Sequence, residues 1–213
     1  DETLYRRCFA FHDQGHAPLR HGVEIGKRPF LGLDFRYTEL QAAVMLAQLG
    51  KVSPMLKHLR ANKKRFKTAI AGLPGLEFRE VIDPQDELGT ILTVILPTAE
   101  IAAKIARDLG SRVVAGADWH VYNNMEHLLE QRVVNPVSCS FSCTHYADRG
   151  GEMRYWQGML PQTDDLLARA INISIGVHDA GLSAVFGVTV NDGPDVVDQR
   201  AAEFRRIAGQ DLS

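Results

Sequence analysis

Three stretches of the chain collect side chains of the types that do chemistry. Trp119-His120-Val121-Tyr122-Asn123-Asn124-Met125-Glu126-His127 sets aromatic faces, amides and two imidazoles in one run. Carbohydrate sites are built from such groups, with rings laid against the sugar face and amides bonding its hydroxyls. Trp119, His120, Tyr122 and Asn123 are therefore candidate substrate contacts; the competing reading makes Trp119 and Tyr122 core or interface residues. His127 falls within a predicted short helix and reads as structural. Cys139, Cys143 and His145 form a lone C-x3-C-x-H that lacks the second pair of ligands a closed zinc site usually takes, so no metal is assigned.

The third constellation is Asp34 and Arg36, just ahead of a helix start. A planar guanidinium holds a carboxylate bidentately, which makes Arg36 a candidate substrate anchor; a buried pair with Glu39 or Asp34 is the alternative. An ionised carboxylate only accepts hydrogen bonds. Asp34 has three readings: a pair with Arg36, a contact to a substrate amine or hydroxyl, or bonds to backbone amides of its own loop.

The elements that must position these groups follow from periodicity and caps. Leu4, Cys8 and Phe11 predict a first helix ending before Gly15, and Gln14 to Gly32 reads as a long loop near a site. Thr38 with Gln41 makes a capping box. The helix it starts, Leu40 to Leu49, is apolar nearly all round and is expected to be buried by its own core or by another subunit. Leu56, Leu59, Phe66 and Ile70 stripe the next helix, whose basic run Lys63, Lys64, Arg65 and Lys67 reads as a solvated face. Glu77 to Val81 and Thr90 to Leu96 read as strands, Pro97 and Thr98 as a helix start, and Val113 to Val121 as a weaker strand. Thr163 is expected to cap a helix over Asp164 to Ala168. Ile171, Ile173 and Ile175 alternate, as do Phe186, Val188 and Val190, which together suggest a hairpin turning at His178 to Gly181. Pro194 opens a last helix striped by Val197, Ala201, Phe204 and Ile207. The fold class is α/β, or α+β in its second part: helices of a larger unit over 1–72, then a small domain over 73–213 with a mostly antiparallel sheet.

Gly32-Leu33-Asp34-Phe35-Arg36-Tyr37-Thr38-Glu39-Leu40-Gln41-Ala42-Ala43, ending in Gln48-Leu49, resembles the segment that follows the catalytic lysine in the DegT/DnrJ/EryC1/StrS family of sugar aminotransferases. Phe11-His12-Asp13-Gln14-Gly15-His16 and Leu160-Pro161-Gln162-Thr163-Asp164-Asp165-Leu166-Leu167-Ala168-Arg169-Ala170 to Val177 are similar to other stretches of that family, in the same order. The resemblance implies the C-terminal part of fold type I, a homodimer, pyridoxal phosphate as cofactor, and transfer of an amino group from glutamate or glutamine to a keto sugar or related polyol ketone. It places the Schiff-base lysine upstream of the segment matching Asp1 to Gly15; Lys27, Lys51, Lys57, Lys63, Lys64, Lys67 and Lys104 all sit in unlike contexts. It also implies that the residue at position 34 reaches the cofactor phosphate of the neighbouring subunit. The family has asparagine there, and Asp34 departs from it, since a carboxylate repels a phosphate where an amide donates to it. A dehydratase of the same family using pyridoxamine phosphate, and a non-catalytic interaction module, are the alternative readings.

Composition narrows the partners. The 213 residues are 45% hydrophobic and 23% charged, an ordinary globular balance. A net charge of -2 gives no basic footprint for nucleic acid or an anionic membrane. No apolar run approaches the roughly 20 residues of a membrane span, and three cysteines are too few for a disulfide framework, so a cytoplasmic protein is expected. The chain opens at Asp1 directly into a helical segment, which reads as a piece of a longer protein.

Overall fold

A computed structural model describes residues 1–18, 28–34, 38–83, 85–118, 120–134, 141 and 143–212. In chain order its main elements are helices α1 (Glu2–His12), α2 (Glu39–Leu49) and α3 (Val52–Ile70), strands β1 (Glu77–Phe78) and β2 (Ile91–Ile95), helices α4 (Ala99–Asp108), α5 (Glu126–Leu129), α6 (Thr144–Ala147) and α7 (Pro161–Arg169), strand β3 (Ala170–Ser174) and helix α8 (Pro194–Ala208). They fall into two units, one of residues Asp1–Ala42 with His120–Met159, the other of Ala43–Trp119 with Leu160–Ser213. No described helix is long and apolar enough to cross a membrane.

The second unit is built on an antiparallel sheet in the order β1-β2-β3, with Leu92 opposite Ile173 and Val94 opposite Ile171. Alternation puts these four side chains on one face. That face carries the core, where Leu59, Phe66 and Ile70 of α3 meet Ile105 of α4 and Val197, Ala201 and Phe204 of α8. Two helix starts show how local chemistry deals with orphan amides. The Thr98 hydroxyl accepts from the Ile101 amide at 3.3 Å, and Pro194 occupies the first turn of α8, where its missing N–H costs nothing. Gly110, at φ +67°, ends α4 in the left-handed conformation expected of it.

Four expectations are corrected. The described part of Val113 to Val121 holds no strand, and instead makes a 3-10 turn at Val114–Gly116. The helix expected over Asp164 to Ala168 begins earlier, with Pro161 in its first turn, so Thr163 lies inside it rather than capping it. Phe186 and Val188 are buried as their alternation implies, yet they form no strand with β3. The chain between them wraps around Ser174, whose amide donates to the Phe186 carbonyl and whose carbonyl accepts from the Val188 amide, both at 2.8 Å. The basic run on α3 is also not uniformly solvated, because Lys63 is only 7% exposed and is paired with Glu87.

Helix α2 passes from one unit into the other. Its capping box forms as read: the Gln41 side chain accepts from the Thr38 amide at 2.7 Å, and the Thr38 hydroxyl from the Gln41 amide at 3.3 Å. No residue of α2 is buried, and Leu40 and Leu46 are 77% and 73% exposed. Among the described residues, the core cluster therefore includes none of this apolar helix.

Candidate functional site

The site residues are delivered by a hook at the end of α1. Gln14 and Gly15, at φ +55° and +84°, turn the chain, and residues 30–34 return alongside. The Leu33 amide donates to the Phe11 carbonyl at 2.8 Å and the Gln14 amide to the Leu33 carbonyl at 3.1 Å, which sets Asp13 opposite Asp34. Gly32 is required for this approach, because a Cβ there would lie 2.2 Å from the Ala10 carbonyl oxygen. Phe30 is buried beneath the return, with the Arg7 guanidinium 5.2 Å from its ring centre. Asp34 itself is exposed and accepts from the Gln14 side-chain amide at 3.4 Å.

Beside the hook lies a polar cluster that the sequence reading did not find. Arg28, 7% exposed, has its guanidinium 3.3 Å from Nε2 of His16, also buried. Its amide donates to Glu126 at 2.6 Å, and its carbonyl accepts from the Arg132 guanidinium at 2.5 Å. Thus α5 and the residue group that follows it clamp the return strand of the loop. Burial pushes the Glu126 carboxyl up, but the Arg28 amide, its own backbone amide and the charges of His127 and Arg28 together hold it below its usual value. His127 is 3% exposed and its Nδ1 has no hydrogen-bond partner among the described residues. Burial lowers its pKa, Arg28, Arg132 and His16 lower it further, and Glu126 opposes them.

A pH dependence follows. A histidine whose folded pKa is depressed binds fewer protons folded than unfolded, so stability rises with pH across the gap. The contribution is intact above the unfolded value of 6.5 and declines as pH falls below it. Melting curves between about pH 7.5 and 5.5 should show the Tm falling on acidification. His127→Gln, which never takes a proton, should flatten that slope; an unchanged slope would assign the effect elsewhere.

The other predicted residues are placed as follows. His120 is exposed, at φ +63°, and Tyr122 and Asn123 lie half-buried in a 3-10 turn, Tyr122–Asn124. The Asn123 side-chain oxygen accepts from the Gly158 amide, and its backbone carbonyl from the Gln157 side chain, both at 3.1 Å. That oxygen is committed to holding the 157–158 turn. Asp34, His120, Tyr122 and Asn123 belong to one unit; Arg36, Trp119 and Cys139 lie outside the described residues. Of the missed residues, Glu126 stood inside the singled-out run, whereas Arg28 in an aperiodic loop carried no signal.

These residues do not by themselves fit pyridoxal phosphate. Asp34 presents an acceptor where a phosphate needs donors. The described lysines are engaged or on helix surfaces: Lys63 with Glu87, Lys104 with Asp211, Lys67 with its ammonium 4.8 Å from the Phe78 ring centre. No step of a transamination is therefore derived through this chain's side chains.

Comparison with known proteins bears on the whole chain. Residues 1–178 match the DegT/DnrJ/EryC1/StrS aminotransferase family. A curated relative, dTDP-4-dehydro-2,6-dideoxy-D-glucose 3-dehydratase of Saccharopolyspora spinosa, is 25% identical over 143 residues, which cover 63% of this chain and 29% of the relative. Among solved structures, 3-amino-5-hydroxybenzoic acid synthase superposes with a TM-score of 0.53 at 15% identity, over 99% of this chain and 48% of its own. An aminotransferase from Psychrobacter cryohalolentis aligns at 18% identity and a TM-score of 0.49, covering 99% of this chain and 50% of that one. The chain spans less than a third of the curated relative and under half of the synthase. The synthase carries the fold assignment, mixed α/β with a small antiparallel sheet, and the family match includes the whole Gly32-to-Leu49 motif. The chain belongs to the DegT/DnrJ/EryC1/StrS aminotransferase family.

Proposed function

We propose that this chain is the C-terminal portion of a pyridoxal-phosphate-dependent aminotransferase that moves an amino group from glutamate or glutamine to a keto sugar or related polyol ketone. Residues 1–72 then belong to the large cofactor-binding domain and its interdomain helix, and 73–213 to the small domain. The observation that carries this reading is α2: a capped helix, apolar nearly all round, directly after the Gly32–Asp34 loop and without a buried residue. Leu40, Val44, Met45, Leu46 and Leu49 are all more than half exposed. Such a face is stable only when covered. We assign its cover to the rest of the parent protein and its homodimer partner, with Asp34 near the cofactor phosphate and Arg36, Trp119, His120, Tyr122 and Asn123 toward the substrate.

The Schiff-base nitrogen must come from outside this chain. Titrating the chain with pyridoxal phosphate should therefore give no aldimine absorbance, and borohydride should fix no adduct on a particular lysine. A stoichiometric, borohydride-stable adduct at one lysine would overturn the reading.

A second reading has a specific support in the name of the Saccharopolyspora spinosa relative, a 3-dehydratase acting on a dTDP-linked sugar. In it the parent uses pyridoxamine phosphate to dehydrate a deoxy sugar. The residue at the Schiff-base position of the parent separates the two, lysine for transamination and histidine for dehydration.

A further inference from the structure

The basic face of α3 is half of a cleft. Arg60, Lys63, Lys64 and Lys67 recur at i, i+3, i+4 and i+7, which stacks them along one side of the helix. Opposite them runs the edge of the small sheet, where Phe78, Arg79 and Glu80 supply the far wall. The cleft between measures about 580 Å³, within the range of small-molecule sites. All of its lining belongs to one unit.

The charges do not balance inside it. Lys63 is held by Glu87, and the Arg60 guanidinium donates to the Glu87 carbonyl at 2.6 Å, so Glu87 is already committed. Lys67 lies over the Phe78 ring, which attracts it without neutralising it. Neither Lys64 nor Arg79 has a carboxylate partner among the described residues. Lys64, Lys67 and Arg79 thus line the same cleft, where Glu80 is the other carboxylate in the lining. A helix face that simply meets water has no second wall and no arginine set against it.

We propose that this cleft binds a multiply charged phosphoryl anion of small-molecule size. A monocarboxylate would match one of the three cations. A phosphate or pyrophosphate group matches two or three, and offers paired oxygens to the planar fork of Arg79 while the lysines act as point charges. The chain's overall charge of -2 argues against a long polyanion, which needs a broad basic surface rather than one enclosed patch. The proposal does not depend on the aminotransferase reading, since it uses no residue of the Asp34 region.

The test is a calorimetric and thermal-shift titration of the chain with inorganic pyrophosphate at fixed ionic strength. Saturable binding and a raised Tm are expected, with sodium chloride at matched ionic strength giving neither. Lys64→Ala combined with Arg79→Ala, both at exposed positions, should leave the unliganded melt unchanged and weaken binding by about tenfold or more. Lys64→Arg combined with Arg79→Lys should retain most of it. Equal binding by the double alanine variant, an effect reproduced by chloride, or tighter binding of a single-stranded oligonucleotide than of pyrophosphate would each overturn the proposal.

Discussion

Glu87→Gln should destabilise the chain by about 2 kcal/mol, below the cost for a fully buried pair, because Lys63 is buried while the Glu87 side chain keeps 20% of its exposure. Lys63 is 7% exposed and Glu87 is its carboxylate partner, while the Glu87 carbonyl also receives the Arg60 guanidinium. Glutamine keeps the side-chain length and the backbone contact, so the loss isolates the charge. Lys63→Met with Glu87→Leu removes both charges together and should recover most of the loss, because the pair's attraction largely offsets its own desolvation. Arg65 and Asp198 provide the contrast. They join α3 to α8 through two bonds of 2.6 Å, yet both side chains are about half exposed. Solvent screens such a pair, and Asp198→Asn should cost far less. Urea unfolding of the variants measures the difference; equal midpoints for Glu87→Gln and Asp198→Asn would show that burial does not set the value of these pairs.

That contrast also marks what the sequence could and could not convey. The four members of the basic run Lys63, Lys64, Arg65 and Lys67 look alike in the sequence, and only the approach of Glu87, 24 positions away from Lys63, distinguishes the buried one. Most of what resides within one turn of chain was legible, the start at Pro161 rather than after Thr163 being an exception. The capping box of Thr38 and Gln41, the helix start at Pro97 and Thr98, Gly110 and the stripe of α8 all turned out as read, because each satisfies its own backbone or a single face. The apolar character of α2 was equally plain, and the structure adds that none of its residues is buried. Arg28, His16 and Glu126 were not legible as a group, since their meeting depends on a loop closing over 98 positions between Arg28 and Glu126. At Asp34 the motif fixed the position in the hook, and the identity of the side chain set it apart from the family's amide. The Phe186 to Val190 alternation shows a different limit. Periodicity reports which side chains are buried, and pairing with a neighbouring strand is a separate fact.

Gly187→Ala tests that last point and should be the most damaging single substitution in this region. Gly187 sits at φ +138°, in a region L-residues avoid, and a Cβ there would lie 2.1 Å from the Ser174 carbonyl oxygen and 2.7 Å from its nitrogen. Both neighbours are backbone atoms of a central contact, so no side chain can turn aside. Ser174 is fully buried, and its N–H, C=O and hydroxyl are all bonded to Phe186 or Val188. The methyl group must therefore break at least one of those bonds or pull Phe186 and Val188 out of the core. Backbone strain of about 1–3 kcal/mol adds to lost core packing of similar size, and a total of about 3 kcal/mol or a chain that fails to fold is expected. Ser174→Ala is the matching control. It removes only the hydroxyl that donates to the Val188 carbonyl at 2.8 Å, a loss of about 1 kcal/mol. If Gly187→Ala melts within a degree or two of Ser174→Ala, the wrap around Ser174 is not formed as described. In that case residues 186–190 would form the ordinary strand their alternation suggests.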